Sequence, residues 1–152
     1  MKKNTEYAKE LLDLVNNGYG ALSELTEVDL SLEKTPDGKW NKKQILGHLI
    51  DSASNNHQRF IRSRIGSELA FPAFQQDEWV EIQDYKNAKW KYLLELWKFY
   101  NYHLAGILKQ MPKDVMERKM IIGPNEPITL RGLIESYIEH LNHHLKQLIT
   151  QK

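Results

Sequence analysis

The stretch TLRGLIESYIEHLNHHLKQLI, residues 129–149, carries apolar side chains three or four positions apart along its whole length. This spacing places them on one face of an α-helix, and Thr129 is a suitable residue to cap the start of that helix. The apolar face consists of Leu130, Ile134, Leu141, Leu145 and Leu148. A helix with one apolar face must bury that face against other elements, so the rest of the chain has to supply them.

Three further stretches, residues 4–27, 41–65 and 84–111, show the same helical period. Gly18 and Gly20 weaken the middle of the first, and Asn41 with Gln44 gives the second a capping box. The third has the widest apolar stripe, which contains Trp90, Leu93, Leu94, Trp97, Tyr100, Leu104, Ile107, Leu108 and Met111. Four helices of about 20 residues predict an all-α four-helix bundle that forms a single domain over residues 1–152.

Proline and glycine mark the connections between these helices. Pro36-Asp37-Gly38 predicts a turn, and residues 123–127 predict a loop tip. Met120-Ile121-Ile122 fits either a short strand or a segment that covers the core. The connection over residues 66–83 is long enough for a crossover between the second and third helices, and it places Trp79 in a loop.

The charge balance excludes some classes of partner. The chain has 21 Lys and Arg against 20 Asp and Glu, which gives no basic field for nucleic acid. No apolar run approaches the roughly 20 residues that span a bilayer, and the charged residues 1–6 do not resemble a signal peptide. We therefore expect a cytoplasmic protein that binds neither nucleic acid nor membranes. Because there are no cysteines, any metal must be bound by His, Asp, Glu or water.

Helical geometry separates the six histidines into two groups. His48 lies at the border of the apolar face of the second helix. It shares a polar stripe with Ser52, Asn55 and Arg59. His140 and His144 are four residues apart, so both project from one border of the fourth helix, about one turn from each other. The remaining histidines point elsewhere, and we expect surface or supporting positions for His57, His103 and His143.

Two histidines on one helix and a third on another predict a divalent metal site. Three neutral imidazoles suit Zn²⁺ or Ni²⁺ and, less selectively, Fe²⁺, Co²⁺ or Mn²⁺. Three protein ligands leave coordination positions open, which is typical of catalytic metal sites. A ligating imidazole needs a partner on its other nitrogen. The candidates for that role are Asp51, Asn55 and Gln147.

Several segments resemble those of a known family. Residues 40–51, WNKKQILGHLID, and residues 54–60, SNNHQRF, resemble the second helix of the DinB/YfiT-like superfamily. Residues 137–147, YIEHLNHHLKQ, resemble its last helix. Residues 76–80, QDEWV, and 97–101, WKFYN, resemble the middle of its DinB_2 branch. The resemblance spans nearly the whole chain, and the segments occur in the family's order.

This resemblance implies an up-down-down-up bundle with a crossover after the second helix, assembled as a homodimer. It also implies metal ligands at His48, His140 and His144, the residues that helical geometry selects. Some members of the superfamily are metal-dependent transferases or isomerases that use low-molecular-weight thiols such as bacillithiol or mycothiol. Many other members have no established activity.

Two functions of different classes follow. The leading hypothesis is a metal-dependent enzyme for a small-molecule substrate, specifically a thiol S-transferase in which the metal holds the thiol as a nucleophile. Arg59 is then expected to bind an acidic group of the thiol, with Trp79 and Tyr137 as walls of the pocket. A hydrolase that activates water is a variant that the same ligands support. The rival is a non-catalytic, stress-related binding module or structural dimer in which any metal merely locks the helices together.

Overall fold

The computed structural model describes residues 1–31, 33–35, 38, 40–66 and 69–150, with the backbone alone at 150. Its helices are α1 (Asn4–Ser23), α2 (Glu27–Leu30), α3 (Lys42–Ile65), α4 (Gln76–Ile82), α5 (Trp90–Lys109) and α6 (Leu130–Thr150). The turn predicted at Pro36-Asp37-Gly38 falls on Pro36 and Asp37, which lie outside the described residues. Within those residues, every helix is too short or too polar to cross a membrane.

The four long helices α1, α3, α5 and α6 form the bundle. Helices α1 and α3 each pack on both α5 and α6, so the first two long helices of the chain lie diagonally across the bundle. Helix α1 runs antiparallel to α5. Tyr19, near the end of α1, bonds to Glu95 near the start of α5, whereas Asn4 at the start of α1 bonds to the carbonyl of Met111.

Contacts of α3 fix the directions of the remaining helices. Lys42 Nζ, at the start of α3, donates to the carbonyl oxygen of Leu148 near the end of α6 at 2.7 Å, so α3 and α6 are antiparallel. His57 contacts Tyr100, and the residues that follow each of them in α3 and α5 line one shared cavity, so these two helices are parallel. The order is up, down, down, up. The predicted all-α four-helix bundle with a crossover after the second long helix is therefore confirmed.

Local chemistry explains where the helices begin and end. Helix α3 starts as predicted, with a capping box at its first turn. The backbone N–H of Gln44 donates to Asn41 Oδ1, and the backbone N–H of Asn41 donates to Gln44 Oε1, both at 2.9 Å. Helix α1 ends at Ser23, four residues earlier than predicted, and Thr26 caps the short α2 instead. Helix α5 begins only at Trp90, because Ala88 and Lys89 directly before it are extended, with ψ 156° and 123°. Asp84, where the predicted helix was to start, is left-handed with φ 51°.

A small sheet covers one end of the bundle. Strand β1 (Ala70–Phe71) pairs in parallel with β2 (Lys119–Ile122), which pairs antiparallel with β3 (Ile128–Thr129). Of the two readings of residues 120–122, the strand is therefore the right one, and the predicted loop tip joins β2 to β3. Thr129 Oγ1 accepts from the backbone N–H of Gly132 at 3.0 Å, which confirms the predicted cap of α6.

The crossover connection contains more structure than its composition predicts. Trp79 lies in α4 and not in a loop, so that prediction is wrong. Two acidic residues in the first turn of α4 favour the helix, and Val80 anchors it because its side chain is only 1% exposed. Helix α4 packs on α3, and this contact brings the crossover segment close to the first half of that helix.

Two glycines allow close packing between elements. An added Cβ at Gly47 would lie 2.1 Å from a ring carbon of Tyr85, so the crossover segment fits directly against the backbone of α3. An added Cβ at Gly18 would lie 3.0 Å from Leu145 and 3.2 Å from Trp97. Helix α1 is continuous through Gly18, so this glycine marks the place where α1 meets its neighbours and not a weak point of the helix.

Candidate metal centre

Three histidines from two helices converge at the interface of α3 and α6. Because these helices run antiparallel, the border position of His48 lies opposite the border positions of His140 and His144. Nε2 of His48 lies 3.2 Å from Nε2 of His140. The ring centroid of His48 lies 5.1 Å from the centroid of His140 and 5.1 Å from that of His144. One ring nitrogen from each of the three residues lies within 4.8 Å of the other two.

This donor set fits a divalent cation. Two nitrogens bound to one tetrahedral zinc at 2.0–2.1 Å lie about 3.3 Å apart, which is close to the 3.2 Å separation of the two Nε2 atoms. Within the part of the chain that the structure describes, no Asp, Glu or further His joins the cluster. Three ring nitrogens therefore lie close enough to bind one ion, and three ligands would leave a coordination position for a group from outside the chain.

Burial keeps the imidazoles of His140 and His144 neutral. Burial, with smaller contributions from the neighbouring His144 and His143, lowers the pKa of His140 to about 4. Burial also lowers the pKa of His144, although the hydrogen bond from its ring to Gln147 acts in the opposite direction. Both rings are therefore neutral at pH 7, and each keeps one ring nitrogen with a lone pair that can bind a metal ion.

Gln147 holds the ring of His144 in one orientation. Its Oε1 lies 3.0 Å from Nδ1 of His144. An amide oxygen only accepts hydrogen bonds, so Nδ1 carries the proton and Nε2 carries the lone pair. Of the three residues that the sequence offered as partners for the ligands, Gln147 is the one whose side chain bonds to a histidine.

Asp51 and Asn55 have other partners. Oδ1 of Asp51 accepts from Tyr85 Oη at 2.7 Å and from Gln83 Nε2 at 2.8 Å, which ties this carboxylate to the crossover segment. Burial raises the pKa of Asp51, whereas these two bonds lower it. Asn55 donates to the backbone carbonyl of Asp51 at 2.9 Å.

A cavity of about 200 Å³ adjoins the histidine cluster between α3 and α6. Its walls are His48, Ser52, Asn56, Arg59, Phe74, Gln76, Leu133, Ser136, Tyr137 and His140. None of these residues is acidic, and Arg59 carries the one permanent charge among them. The cavity is therefore a place where a small molecule can lie next to the histidines in a positive environment.

Tyr137 and Trp79, the predicted walls of the pocket, lie at different distances from the cavity. Tyr137 lines the cavity, and its buried hydroxyl donates to Oδ1 of Asn101 at 2.5 Å. Trp79 does not line it directly. Its ring packs 5.3 Å from the ring of Phe74, which in turn lies 6.4 Å from the ring of His48. Trp79 thus supports the cavity wall from behind.

Sequence reasoning missed two residues around the site. Asn101 accepts the Tyr137 hydroxyl and is fully buried on the otherwise apolar stripe of α5. A lone polar residue on such a stripe was the signal that could have revealed it. Trp40, just before the cap of α3, stacks at a tilt against His48 with its centroid 4.9 Å away.

The other histidines lie outside the cluster, as their helical positions predict. His57 Nδ1 lies 2.9 Å from the Tyr100 hydroxyl, and its ring is 5.3 Å from that of His103, at the contact between α3 and α5. His143 is exposed, and its ring lies 5.1 Å from the ring of His144.

Comparison with known proteins adds two relatives at the sequence level. The chain is 21% identical over 143 residues to "Putative metal-dependent hydrolase OB0413" of Oceanobacillus iheyensis, a match that covers 94% of this chain and 82% of that protein. It is 26% identical over 113 residues to "Putative metal-dependent hydrolase YfiT" of Bacillus subtilis, over 74% of this chain and 64% of that protein.

Solved structures agree with the fold. The structure of YfiT matches with a TM-score of 0.86 at 25% identity, over 99% of this chain and 86% of that one. A mycothiol-dependent maleylpyruvate isomerase matches with a TM-score of 0.73 over 97% of this chain and 63% of that one. At 12% identity, this second match is a likeness of fold alone.

The three-histidine cluster and the names of these relatives together suggest a divalent metal. The sequence pattern of the DinB_2 family, described as the DinB superfamily, matches residues 19–148. That match includes all three histidines of the cluster and most of the chain. This protein therefore belongs to the DinB superfamily.

Proposed function

We propose that this protein is a metal-dependent enzyme in which His48, His140 and His144 bind one divalent cation. The observation that carries the proposal is the convergence of three ring nitrogens, from two helices, within 4.8 Å of one another beside a cavity. The names of the two sequence relatives support a metal-dependent activity. We propose Zn²⁺ or Ni²⁺ first, because both favour imidazole ligands, with Fe²⁺, Co²⁺ and Mn²⁺ as weaker alternatives.

A cation held by these histidines would supply a positive charge that lowers the pKa of a thiol or water bound beside it. The residues of the chain prepare the site for that role. His140 and His144 are neutral before any metal binds, and Gln147 fixes the ring of His144. The rings of Tyr137 and Phe74 give the cavity apolar wall surface beside the histidines.

We propose thiol S-transfer as the reaction. The thiol sulfur forms a bond to an electrophilic carbon, the leaving group departs with its electron pair, and the thiol proton passes to solvent. Zinc proteases with an H-E-x-x-H helix use a glutamate as general base. Among the described residues no carboxylate lines the cavity, and a thiol nucleophile needs none once its proton is lost.

Hydrolysis is the second candidate, because the names of both sequence relatives specify a hydrolase. The same three histidines would serve it. A purely structural metal is less well supported. Such sites enclose the ion with four protein ligands. The cluster has three within the described ranges, and it adjoins a cavity.

Turnover of chlorodinitrobenzene with a panel of small thiols tests the transfer reaction. The protein is loaded with Zn²⁺, Ni²⁺ or Mn²⁺ and compared with the metal-free protein and with His140→Ala. We expect turnover that needs both a metal and a thiol, retained in His143→Ala, whose exposed ring lies outside the cluster. Hydrolysis of activated esters without any thiol would favour the second candidate. Metal-independent rates for both reactions would refute the proposal.

The homodimer that the family resemblance implies also remains a prediction. Three exposed apolar side chains at helical spacing on α5 provide a surface for it. They are Tyr92, Leu96 and Phe99. Sedimentation equilibrium of the wild type and of Leu96→Glu tests this prediction, because a charge in the centre of the surface should shift a dimer to monomer.

A further inference from the structure

Arg59 is a buried cation without an acidic partner. Its side chain is 7% exposed. Its guanidinium donates to Oδ1 of Asn56 at 3.4 Å and to the carbonyl oxygen of Pro72 at 3.5 Å, both long for a hydrogen bond. No carboxylate in the described part of the chain contacts it, and neighbours as weak as these two leave most of its charge uncompensated.

Burying an uncompensated charge is costly, and proteins normally pair such charges or keep them in water. Burial lowers the pKa of the Arg59 guanidinium, although arginine stays protonated throughout the range in which proteins are folded. An arginine that lines a cavity under these conditions is suited to an anion that arrives from outside the chain. Its planar fork of donors matches a carboxylate, which it can bind through two parallel hydrogen bonds.

Arg59 lies on the same side of α3 as His48. Eleven residues separate them, which is three helical turns and an axial rise of about 16 Å. Both side chains line the cavity of about 200 Å³ beside the histidine cluster. Arg59 also lines a second cavity, of about 500 Å³, together with Asn55, Gln58 and Arg62. The guanidinium therefore stands between the histidines and a wider opening.

We propose that Arg59 binds the carboxylate of the cosubstrate thiol, so that the thiol spans the cavity with its sulfur at the histidines and its acidic end at Arg59. The identity of the sulfur end rests on the proposed function, whereas the binding of a carboxylate at Arg59 does not. The thiol must be long enough to reach from His48 to Arg59 across the cavity that both side chains line.

Matched probes of different length test this proposal. The zinc-loaded protein is titrated by calorimetry with ω-mercaptocarboxylic acids of increasing length, starting from 3-mercaptopropanoate, and with ω-mercaptoalcohols of the same lengths. We expect one chain length at which the acid binds at least about tenfold more tightly than the alcohol. Carboxylic acids that lack the thiol should bind more weakly than the mercapto acid of that length.

Two variants test whether Arg59 causes the preference for the acid over the alcohol. Arg59→Gln should abolish the difference between acid and alcohol and leave the affinity for zinc unchanged. Arg62→Gln, an exposed arginine at the wider cavity, should keep the difference. Equal binding of acid and alcohol at every length in the wild type would overturn the proposal. So would an acid preference that persists in Arg59→Gln. The wild-type comparison needs no variant, so it decides the matter even if Arg59→Gln fails to fold.

A further titration distinguishes failure of the proposed metal site from failure of the carboxylate site at Arg59. If the wild type binds no zinc, the metal-free protein is titrated with hexanoate and with hexanol. Preference for hexanoate that disappears in Arg59→Gln would support the carboxylate site without the metal chemistry. Absence of that preference would refute the carboxylate site as well. If the protein binds zinc but binds mercapto acids and mercaptoalcohols equally, the role of Arg59 is refuted and the metal site is still supported.

Discussion

Nδ1 of His144 lies 3.0 Å from Oε1 of Gln147, less than one helical turn further along α6. This hydrogen bond places the proton of His144 on Nδ1, and it leaves Nε2 available to the cluster. A partner of this kind raises the basicity of a ligand and holds its ring in place. Gln147 is thus part of the proposed metal centre even though it offers no ligand itself.

Gln147→Leu should weaken zinc binding by about 10- to 100-fold, the range typical of partners that orient metal ligands. Leucine removes the acceptor while keeping a side chain of similar size. Gln147→Glu is the matched control, because it keeps an acceptor at the same place and should bind zinc at least as tightly as the wild type. Competition with a chromogenic chelator measures both affinities. Equal affinity in the leucine variant and the wild type would contradict this assignment.

His140→Ala and His144→Ala should each reduce zinc affinity by more than about 100-fold, since loss of a ligand exceeds loss of its partner. His143→Ala is the control, as it lies on the same helix but outside the cluster. Thermal unfolding gives an independent readout. Zinc in large excess over its dissociation constant should stabilise the wild type and His143→Ala by several kcal/mol and should stabilise the other two variants much less. A stabilisation that is the same in all four proteins would place the ion elsewhere.

Acid should destabilise the metal-free protein over a defined range of pH. The pKa of His140 is about 4 in the folded chain and 6.5 in the absence of the fold. Between these values the unfolded state binds more protons, so the free energy of unfolding falls as the pH decreases from 6.5 to 4. The full loss is up to about 3 kcal/mol for this residue. Burial of His144 acts in the same direction.

Urea unfolding of the chelator-treated protein at several pH values measures this effect. His140→Gln should show a shallower decline over the same range, because glutamine has no proton to bind. Zinc should also protect the wild type down to lower pH, since the metal and the proton compete for the same nitrogen. A free energy of unfolding that does not change between pH 6.5 and 4 would contradict this prediction. An equally steep decline in His140→Gln would show that protonation of His140 is not its cause.

The helices and the three histidines could be predicted because both depend on local periodicity. The capping box at Asn41 and the cap at Thr129 are likewise local, and both are present in the structure. Angular position was enough to propose His48, His140 and His144 as one group, and the resemblance to the DinB/YfiT-like superfamily implied the same three residues.

The elements that sequence analysis missed depend on contacts between distant residues. Strand β1 consists of Ala70 and Phe71, which are too few to show an alternating pattern, and it exists because β2 lies beside it. Helix α4 is short, and the packing of Val80 holds it in place. The pairing of Asp51 with Tyr85 needs the crossover segment to fold back on α3, which no periodic pattern can reveal.

Gly47 gives the sharpest test of that crossover packing. In Gly47→Ala the new Cβ would lie 2.1 to 2.6 Å from three ring carbons of Tyr85, so the ring must move and its hydrogen bond to Asp51 must change. Overpacking of this kind costs about 1–3 kcal/mol. Gly106→Ala is the matched control, because nothing lies within 4 Å of its added Cβ and alanine favours the helix by about 1 kcal/mol. Urea unfolding should therefore shift in opposite directions for the two variants. A stabilised Gly47→Ala would mean that Tyr85 does not pack against α3 as the structure has it.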